Sequence, residues 1–175
     1  LEECNRENRY NLVTDILIRY KNLKKIYGYK MEGYWSNIAD VDSYFRANLD
    51  FLKRDVRDYF FHEDPNVYSK THDLPPAKYN VGSKVTNSLV AGGCIVNSTV
   101  DNSVLFEKVF VGNNSVVKNS IVLNGAYIGD NVRVENCIVE SHETLLSGTS
   151  YVGENGVLII TGNKNHYTMQ ENGGV

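Results

Sequence analysis

Between Val81 and Ile160 aliphatic residues return on a six-residue beat. Four cells stand out: Val81-Gly82-Ser83-Lys84-Val85, Val111-Gly112-Asn113-Asn114-Ser115-Val116, Ile128-Gly129-Asp130-Asn131-Val132 and Val152-Gly153-Glu154-Asn155-Gly156-Val157. Their first residues lie 30, 17 and 24 positions apart, which is five sixes, one short of three sixes, and four sixes. Such repetition dictates architecture before any local propensity does. An aliphatic residue, then Gly, then polar residues, then a small or β-branched residue predicts a left-handed parallel β-helix, three hexads to a triangular coil. The aliphatic side chain points inward, and Gly or Asn takes the corner where a positive φ is needed. About four coils are expected over 81–160, with Val111, Val117, Ile128 and Val134 inside.

The composition of the run agrees with that fold. It holds 22 Val or Ile, 10 Asn, 9 Gly and no Pro. β-branched residues suit buried pleated strands. The lack of Pro suits backbone N–H groups that pair with neighbouring coils. An antiparallel sandwich also has many short strands, but it does not keep a six-residue beat.

The first 65 residues follow another pattern. Eleven basic and twelve acidic residues interleave there. Val13, Ile16, Leu17, Tyr20 and Leu23 recur at helical spacing, and Gly28 follows the basic end at Lys24 and Lys25. Tyr27, Tyr29 and Met31 alternate with Gly28, Lys30 and Glu32 as a strand does. A second helix is expected after Asp40–Asp42, with Val41, Phe45, Leu49, Leu52 and Val56 on its apolar face and acidic residues at its positive end. All three prolines, Pro65, Pro75 and Pro76, fall in a linker that should run extended. The polar stretch after Ile160 offers little to bury.

Charge and cysteine content narrow the functional classes. The net charge is −3, so no nucleic-acid partner is expected, and no apolar stretch approaches the ~18 residues that span a bilayer. Cys4, Cys94 and Cys137 have no metal-ligand spacing and cannot all pair, so a reduced, cytoplasmic protein is expected. Leu1 is not a methionine and opens a charged stretch with no leader-like run, so a piece of a longer protein is expected.

Three blocks carry a family resemblance. Glu32-Gly33-Tyr34-Trp35-Ser36-Asn37-Ile38-Ala39, followed by Asp42-Ser43-Tyr44-Phe45-Arg46-Ala47-Asn48-Leu49-Asp50, resembles the segment that closes the nucleotidyltransferase domain of ADP-glucose pyrophosphorylases (glucose-1-phosphate adenylyltransferases). Leu74-Pro75-Pro76-Ala77-Lys78-Tyr79 is similar to that family's interdomain linker. Ser88 to Val96 and Asn102 to Phe106 are similar to its first β-helix coils. The resemblance implies a mainly β fold: a left-handed parallel β-helix of hexapeptide repeats at 81–160, preceded by a small α/β remnant of the nucleotidyltransferase domain at 1–62 and a Pro-containing linker at 63–80, and followed by a polar tail at 161–175. The family's Gly-rich nucleotide loop with its Arg has no counterpart here.

The departures from the family pattern bear on function. Asn37 stands at the position of the family's metal-binding Asp, and Ala39 stands where Gly is usual. The resemblance implies Mg²⁺ in the parent family, and Mg²⁺ prefers carboxylate and phosphate oxygens to an amide. It therefore implies no cofactor in this piece, no catalytic residue, and a regulatory subunit of the glycogen biosynthesis D-type beside a catalytic subunit. Another carboxylate serving Mg²⁺ in an active sugar-phosphate nucleotidyltransferase is the alternative. Lys78 matches a lysine of the family's effector site, implying a sugar-phosphate effector, whereas Ser141 stands where some members carry an effector-binding Lys. Tyr34 and Trp35 are candidates for a wall of the sugar pocket, because aromatic faces pack on sugar C–H groups; core packing is the other reading. The expected partners are the catalytic subunit of ADP-glucose pyrophosphorylase, a second copy of the chain, or both.

Other candidates point elsewhere. His142 sits where a hexapeptide acyltransferase would hold its catalytic base, but the N-terminal half matches a nucleotidyltransferase. His62, His72 and His166 lack ligand spacing. Asp55, Asp58, Glu63 and Asp64 with His62 read as a solvated helix end.

Overall fold

The computed structural model describes residues 5–23, 25–63, 70, 72–162 and 167–168. The chain divides into two compact units, Leu1–Gly33 and Tyr34–Val175.

In the first unit the expected helix is present only as a π-helical segment, Leu12–Ile18. Asn11 caps it, its side-chain oxygen accepting from the Val13 and Thr14 N–H groups. None of the segment is buried. The alternating residues 27–32 form no strand. With no apolar face to pair against inside this unit, periodicity alone does not produce a full helix or a strand.

The second unit is built on a left-handed parallel β-helix of five coils. Each coil gives one short strand to each of three sheets. The first face is Lys78–Tyr79, Ile95–Val96, Phe110–Val111, Tyr127–Ile128 and Thr144–Leu145. The second is Lys84–Thr86, Thr99–Asp101, Val116–Lys118, Arg133–Glu135 and Ser150–Val152. The third is Leu89–Val90, Val104–Leu105, Ile121–Val122, Cys137–Val139 and Leu158–Ile160, to which Tyr167–Thr168 adds antiparallel. The solenoid thus starts at Lys78, inside the stretch expected to be linker, and has one coil more than the sequence implied. Pro75 O already accepts from Gly93 N at 2.7 Å, and Lys78 N donates to Cys94 O at 2.8 Å.

Val111, Val117, Ile128 and Val134 are fully buried in the core, as the beat requires. The four sequence cells are not all equivalent, however. Val111 stacks on Ile128, but Ile128 stacks on Leu145 rather than on Val152. Val81 is fully exposed. The phase slips because the step from Ile95 to Thr99 is two residues shorter than its counterparts, and because the corner between the second and third faces is a residue short of a hexad. That corner is turned by Asn87, Asn102, Asn119 and Asn136, all at positive φ.

These asparagines form a column. Asn87 Nδ2 donates to Asn102 Oδ1 at 2.7 Å, Asn102 to Asn119 at 2.9 Å and Asn119 to Asn136 at 2.5 Å. Asn136 Nδ2 ends the column on Gly153 O at 3.1 Å. A second column runs beside it, in which Ser103, Ser120 and Cys137 N–H groups donate to the Ser88, Ser103 and Ser120 hydroxyls. Asn is favoured at such corners because it tolerates the left-handed conformation and satisfies buried polar groups. Asn119→Gly keeps the conformation and loses the amide; Asn119→Ala loses both. The Ala variant is expected to be less stable than the Gly variant by about 1–2 kcal/mol, measured by urea titration; equal stabilities would mean the corner is not strained.

The outer rows of the three faces differ. On the second face the outward residues are mostly polar, including Asp101, Lys118 and Glu135, with Val116 and Val152 as exceptions, and Glu135 pairs with Arg133 at 2.5 Å. On the third face they are Leu89, Val104, Ile121, Ile138 and Ile159. The helix Val41–Asp50 covers the middle of that apolar row, at Ile121 and Ile138. Asp40 caps it through Ser43 N at 2.7 Å, with Ser43 Oγ accepting from Asp40 N in return. Its Phe45 packs with Ile121, Ile138 and Val157. The short helix Arg54–Asp58 follows, tied back where Arg57 Nη1 donates to Phe51 O and Leu52 O.

Candidate functional site

The sequence-derived site residues lie apart in kind. Tyr34 turns inward: its hydroxyl donates to Asp50 Oδ2 at 2.9 Å, and its ring meets Phe60 edge-on at 5.6 Å. Phe60 in turn stacks on Phe51 at 5.2 Å. Burial first, and then the Asp50 carboxylate, push Tyr34 above the ordinary phenol range. Lys53, 2.7 Å from Asp50, and then the Tyr34 hydroxyl hold that carboxyl below its usual value. Trp35 is 71 % exposed. Asn37 is exposed, and its side chain makes no hydrogen bond among the described residues.

Lys78 is exposed on the outer row of the first face, in register with Ile95. Its ammonium has no ion pair, and nothing joins it to Tyr34, Trp35 or Asn37 among the described residues. Ser141 is exposed at the corner leading into Thr144–Leu145, at the opposite end of that sheet from Lys78.

The family's Mg²⁺ finds few ligands among these side chains. Among the described residues no group of three or more His, Cys, Asp or Glu could hold a metal ion. Asn37 brings no negative charge, and the Asp40 carboxylate is committed to Ser43 N. These residues do not fit a hard dication, so no step is derived through one.

The remaining candidates have structural roles. His142 takes a corner at φ 62°, its N–H donating to Asn124 O at 2.9 Å and its ring lying over Gly125. Among the described residues no carboxylate orients that ring as a general base requires. His72 Nδ1 meets Glu107 Oε2 at 2.8 Å, and Leu74 packs on Gly92, so the linker's end is strapped to the solenoid. His62 pairs with Asp58 at 3.4 Å on an exposed helix end, and Asp58 also meets Arg54. Cys94 and Cys137 are buried, and burial pushes the Cys137 thiol up to about 11, which leaves it protonated and unreactive at neutral pH. Cys4, Asp64, His166 and the Glu63 side chain lie outside the described residues.

Two features escaped the sequence reading. One is an outward stripe on the first face. Ile95, Phe110 and Tyr127 follow in register, and the Phe110 and Tyr127 rings stack at 4.7 Å and 4°. The other is a pair of clefts either side of Arg46, about 700 and 660 Å³, where the Val41–Asp50 helix crosses the asparagine corner. The stripe's signal was available, since Ile95, Phe110 and Tyr127 sit 15 and 17 residues apart. The clefts depend on tertiary packing and left no local signal.

No helix among the described residues is long and apolar enough to cross a membrane. The family model for GlmU-like, C-terminal hexapeptide matches residues 75–175. The chain is similar to glucose-1-phosphate adenylyltransferases. It is 40 % identical over 115 residues to that of Clostridium botulinum (strain Alaska E43 / Type E3), covering 65 % of this chain and 30 % of the enzyme. With that of Clostridium botulinum (strain Eklund 17B / Type B) it is 45 % identical over 91 residues, 51 % of this chain and 23 % of the enzyme. With that of Bacillus subtilis (strain 168) it is 32 % identical over 115 residues, again 65 % and 30 %. The chain spans less than a third of the length of these curated relatives.

Proposed function

Because this chain belongs to the GlmU-like, C-terminal hexapeptide family, we propose that it is the carboxy-terminal portion of a glucose-1-phosphate adenylyltransferase-type subunit in ADP-glucose and glycogen synthesis, serving assembly and regulation. The observation that carries this reading is the outward stripe of Ile95, Phe110 and Tyr127. The third face also has an apolar outer row, but the chain covers its middle, at Ile121 and Ile138, with its own helix. The first face keeps its stripe in solvent, and an aromatic patch of this kind on a rigid sheet marks a contact surface.

Asn37 supports the regulatory half of the reading. Phosphoryl-type transfer relies on metal neutralising charge in the transition state, and the reading assigns Mg²⁺ no ligand on this chain. Lys78, at the end of the same register row as the stripe, is the chain's cation for a sugar-phosphate effector. An effector bound there would act beside the assembly surface. The cytoplasm is the compartment of this reading, since two reduced, buried thiols serve as core residues.

The test is made on the full-length protein, by light scattering across a concentration series, alone and with the catalytic subunit. The native protein is expected to associate, and the paired change Phe110→Asp with Tyr127→Asp is expected to lower the mass while leaving the circular dichroism unchanged. A protein that stays monomeric in both settings overturns the assembly role. Adenylyltransferase turnover matching that of the catalytic subunit, with Asn37 in place, overturns the regulatory one.

A further inference from the structure

The larger cleft beside Arg46 has the features of a binding site. Its walls carry Asp42 and Arg46 from the Val41–Asp50 helix, and Asn136, Glu154 and Asn155 from the solenoid. Its volume, about 700 Å³, lies within the range of small-molecule pockets.

One wall is an insertion that the solenoid does not need. Glu135 pairs with Val152 and Cys137 with Leu158. The step from Glu135 to Cys137 is two residues and that from Val152 to Leu158 is six, so the fifth coil carries four extra residues at this corner. The preceding coils turn the corner with a single Asn at positive φ. Gly153 anchors the extra loop: a Cβ there would lie 2.3 Å from Gly156 O and 2.6 Å from Asn136 O.

Several polar side chains facing the cleft make no direct bond, although Arg46 adds, after the Ser43 hydrogen bonds, to what holds the Asp40 carboxyl below its usual range. Asp42, Arg46, Glu154 and Asn155 side chains make no hydrogen bond or ion pair among the described residues. Asn119 and Asn136, by contrast, are held in the amide column at the back wall. The cleft therefore combines free acceptors and free donors on a fixed backing. Its charged residues are two carboxylates and one guanidinium, a balance that repels a dianion. Adjacent hydroxyls of a neutral polyol match it well, each able to donate to a carboxylate and accept from an amide or guanidinium.

We propose that this cleft binds an uncharged sugar, of hexose to disaccharide size, between Arg46 and the inserted Gly153–Gly156 loop. The inference is independent of the assembly reading, since no residue of the first face takes part.

The full chain, labelled with nitrogen-15, is titrated with glucose, with maltose and with glucose 1-phosphate. Either neutral sugar is expected to shift the amides of residues 153–157 and 46 saturably at millimolar concentration, with glucose 1-phosphate weaker. Arg46→Ala and Glu154→Gln change exposed, unpaired side chains. Each is expected to weaken binding about tenfold, the scale of one hydrogen bond to a charged group, with the melting temperature and the molecular mass unchanged. The proposal is overturned by the absence of saturable shifts at these amides with both neutral sugars. Tighter binding of glucose 1-phosphate than of glucose also overturns it, as do variants that bind like the native chain.

Discussion

Phe45→Ala is expected to release the Val41–Asp50 helix from the solenoid while the five coils stay folded. Phe45 is 6 % exposed and is the helix's one fully buried member of the cluster with Ile121, Ile138 and Val157, against which Val41, Tyr44 and Leu49 pack only partly buried. Removing a buried Phe side chain costs about 3–5 kcal/mol. A ten-residue helix holds no such stability by itself, because helix nucleation is unfavourable and its remaining supports are the partly buried Val41, Tyr44 and Leu49, the Asp40–Ser43 capping box and the Tyr34–Asp50 hydrogen bond. The coils are bound differently. Each coil contacts its neighbours through parallel backbone ladders and an inner row that Phe45 does not touch. Hydrogen exchange should show the amides of 41–50 losing protection while those of Val111, Val117, Ile128 and Val134 keep it. Loss of protection at both places together would mean that helix and solenoid fold as one unit, and retained protection at 41–50 would mean that Phe45 is not the anchor. Exposure of the Val104, Ile121 and Ile138 row should also make the variant self-associate.

Much of this architecture can be read from the chain, for reasons specific to a solenoid. Coil contacts are close to local, so periodicity reports tertiary structure directly: the beat puts Val111, Val117, Ile128 and Val134 inside, and they are there. The helix at 41 is legible because Asp40 and Ser43 form a cap just ahead of Phe45 and Leu49. The phase of the coils is harder. Asn87, Asn102, Asn119 and Asn136 each shorten one corner, and the step from Ile95 to Thr99 is four residues where its counterparts from Lys78 to Lys84 and from Phe110 to Val116 are six. Counting sixes from Val81 to Val152 therefore lines up residues that do not stack. A stronger signal lay in the pairs Val104-Leu105, Ile121-Val122 and Ile138-Val139. A strand apolar on both sides is covered on both, and those pairs mark the face under the helix. Helix and strand in the first 33 residues failed for the opposite reason: they have no neighbouring repeat to enforce the pattern. The candidate site residues Tyr34, Trp35, Asn37 and Lys78 were placed by resemblance, and one-dimensional resemblance carries no information on which of them face solvent.

The glycines of the repeated cell make a sharper test, because the same letter does two jobs. Gly82 sits at φ 88° with nothing within 4 Å of where a Cβ would stand. Gly82→Ala therefore meets only left-handed backbone strain, about 1–2 kcal/mol. Gly112 lies outside the positive-φ set. A Cβ there would lie 2.5 Å from both the carbonyl carbon and the oxygen of Gly129, in the coil above. No flexible side chain can move aside, since the obstacle is backbone. That backbone is fixed by Gly112 N donating to Ile128 O at 2.8 Å and by Gly129 N donating to Leu145 O at 2.9 Å. Gly112→Ala must push adjacent coils apart or break their ladder in the middle of the stack, and we expect about 3 kcal/mol, the upper end of overpacking costs. For a chain of this size that corresponds to roughly 6–12 °C in melting temperature, against a loss of only a few degrees for Gly82→Ala. If the two variants melt together, the coil-to-coil approach at Gly112 is looser than this geometry requires, and corner conformation alone explains the glycine in the repeat.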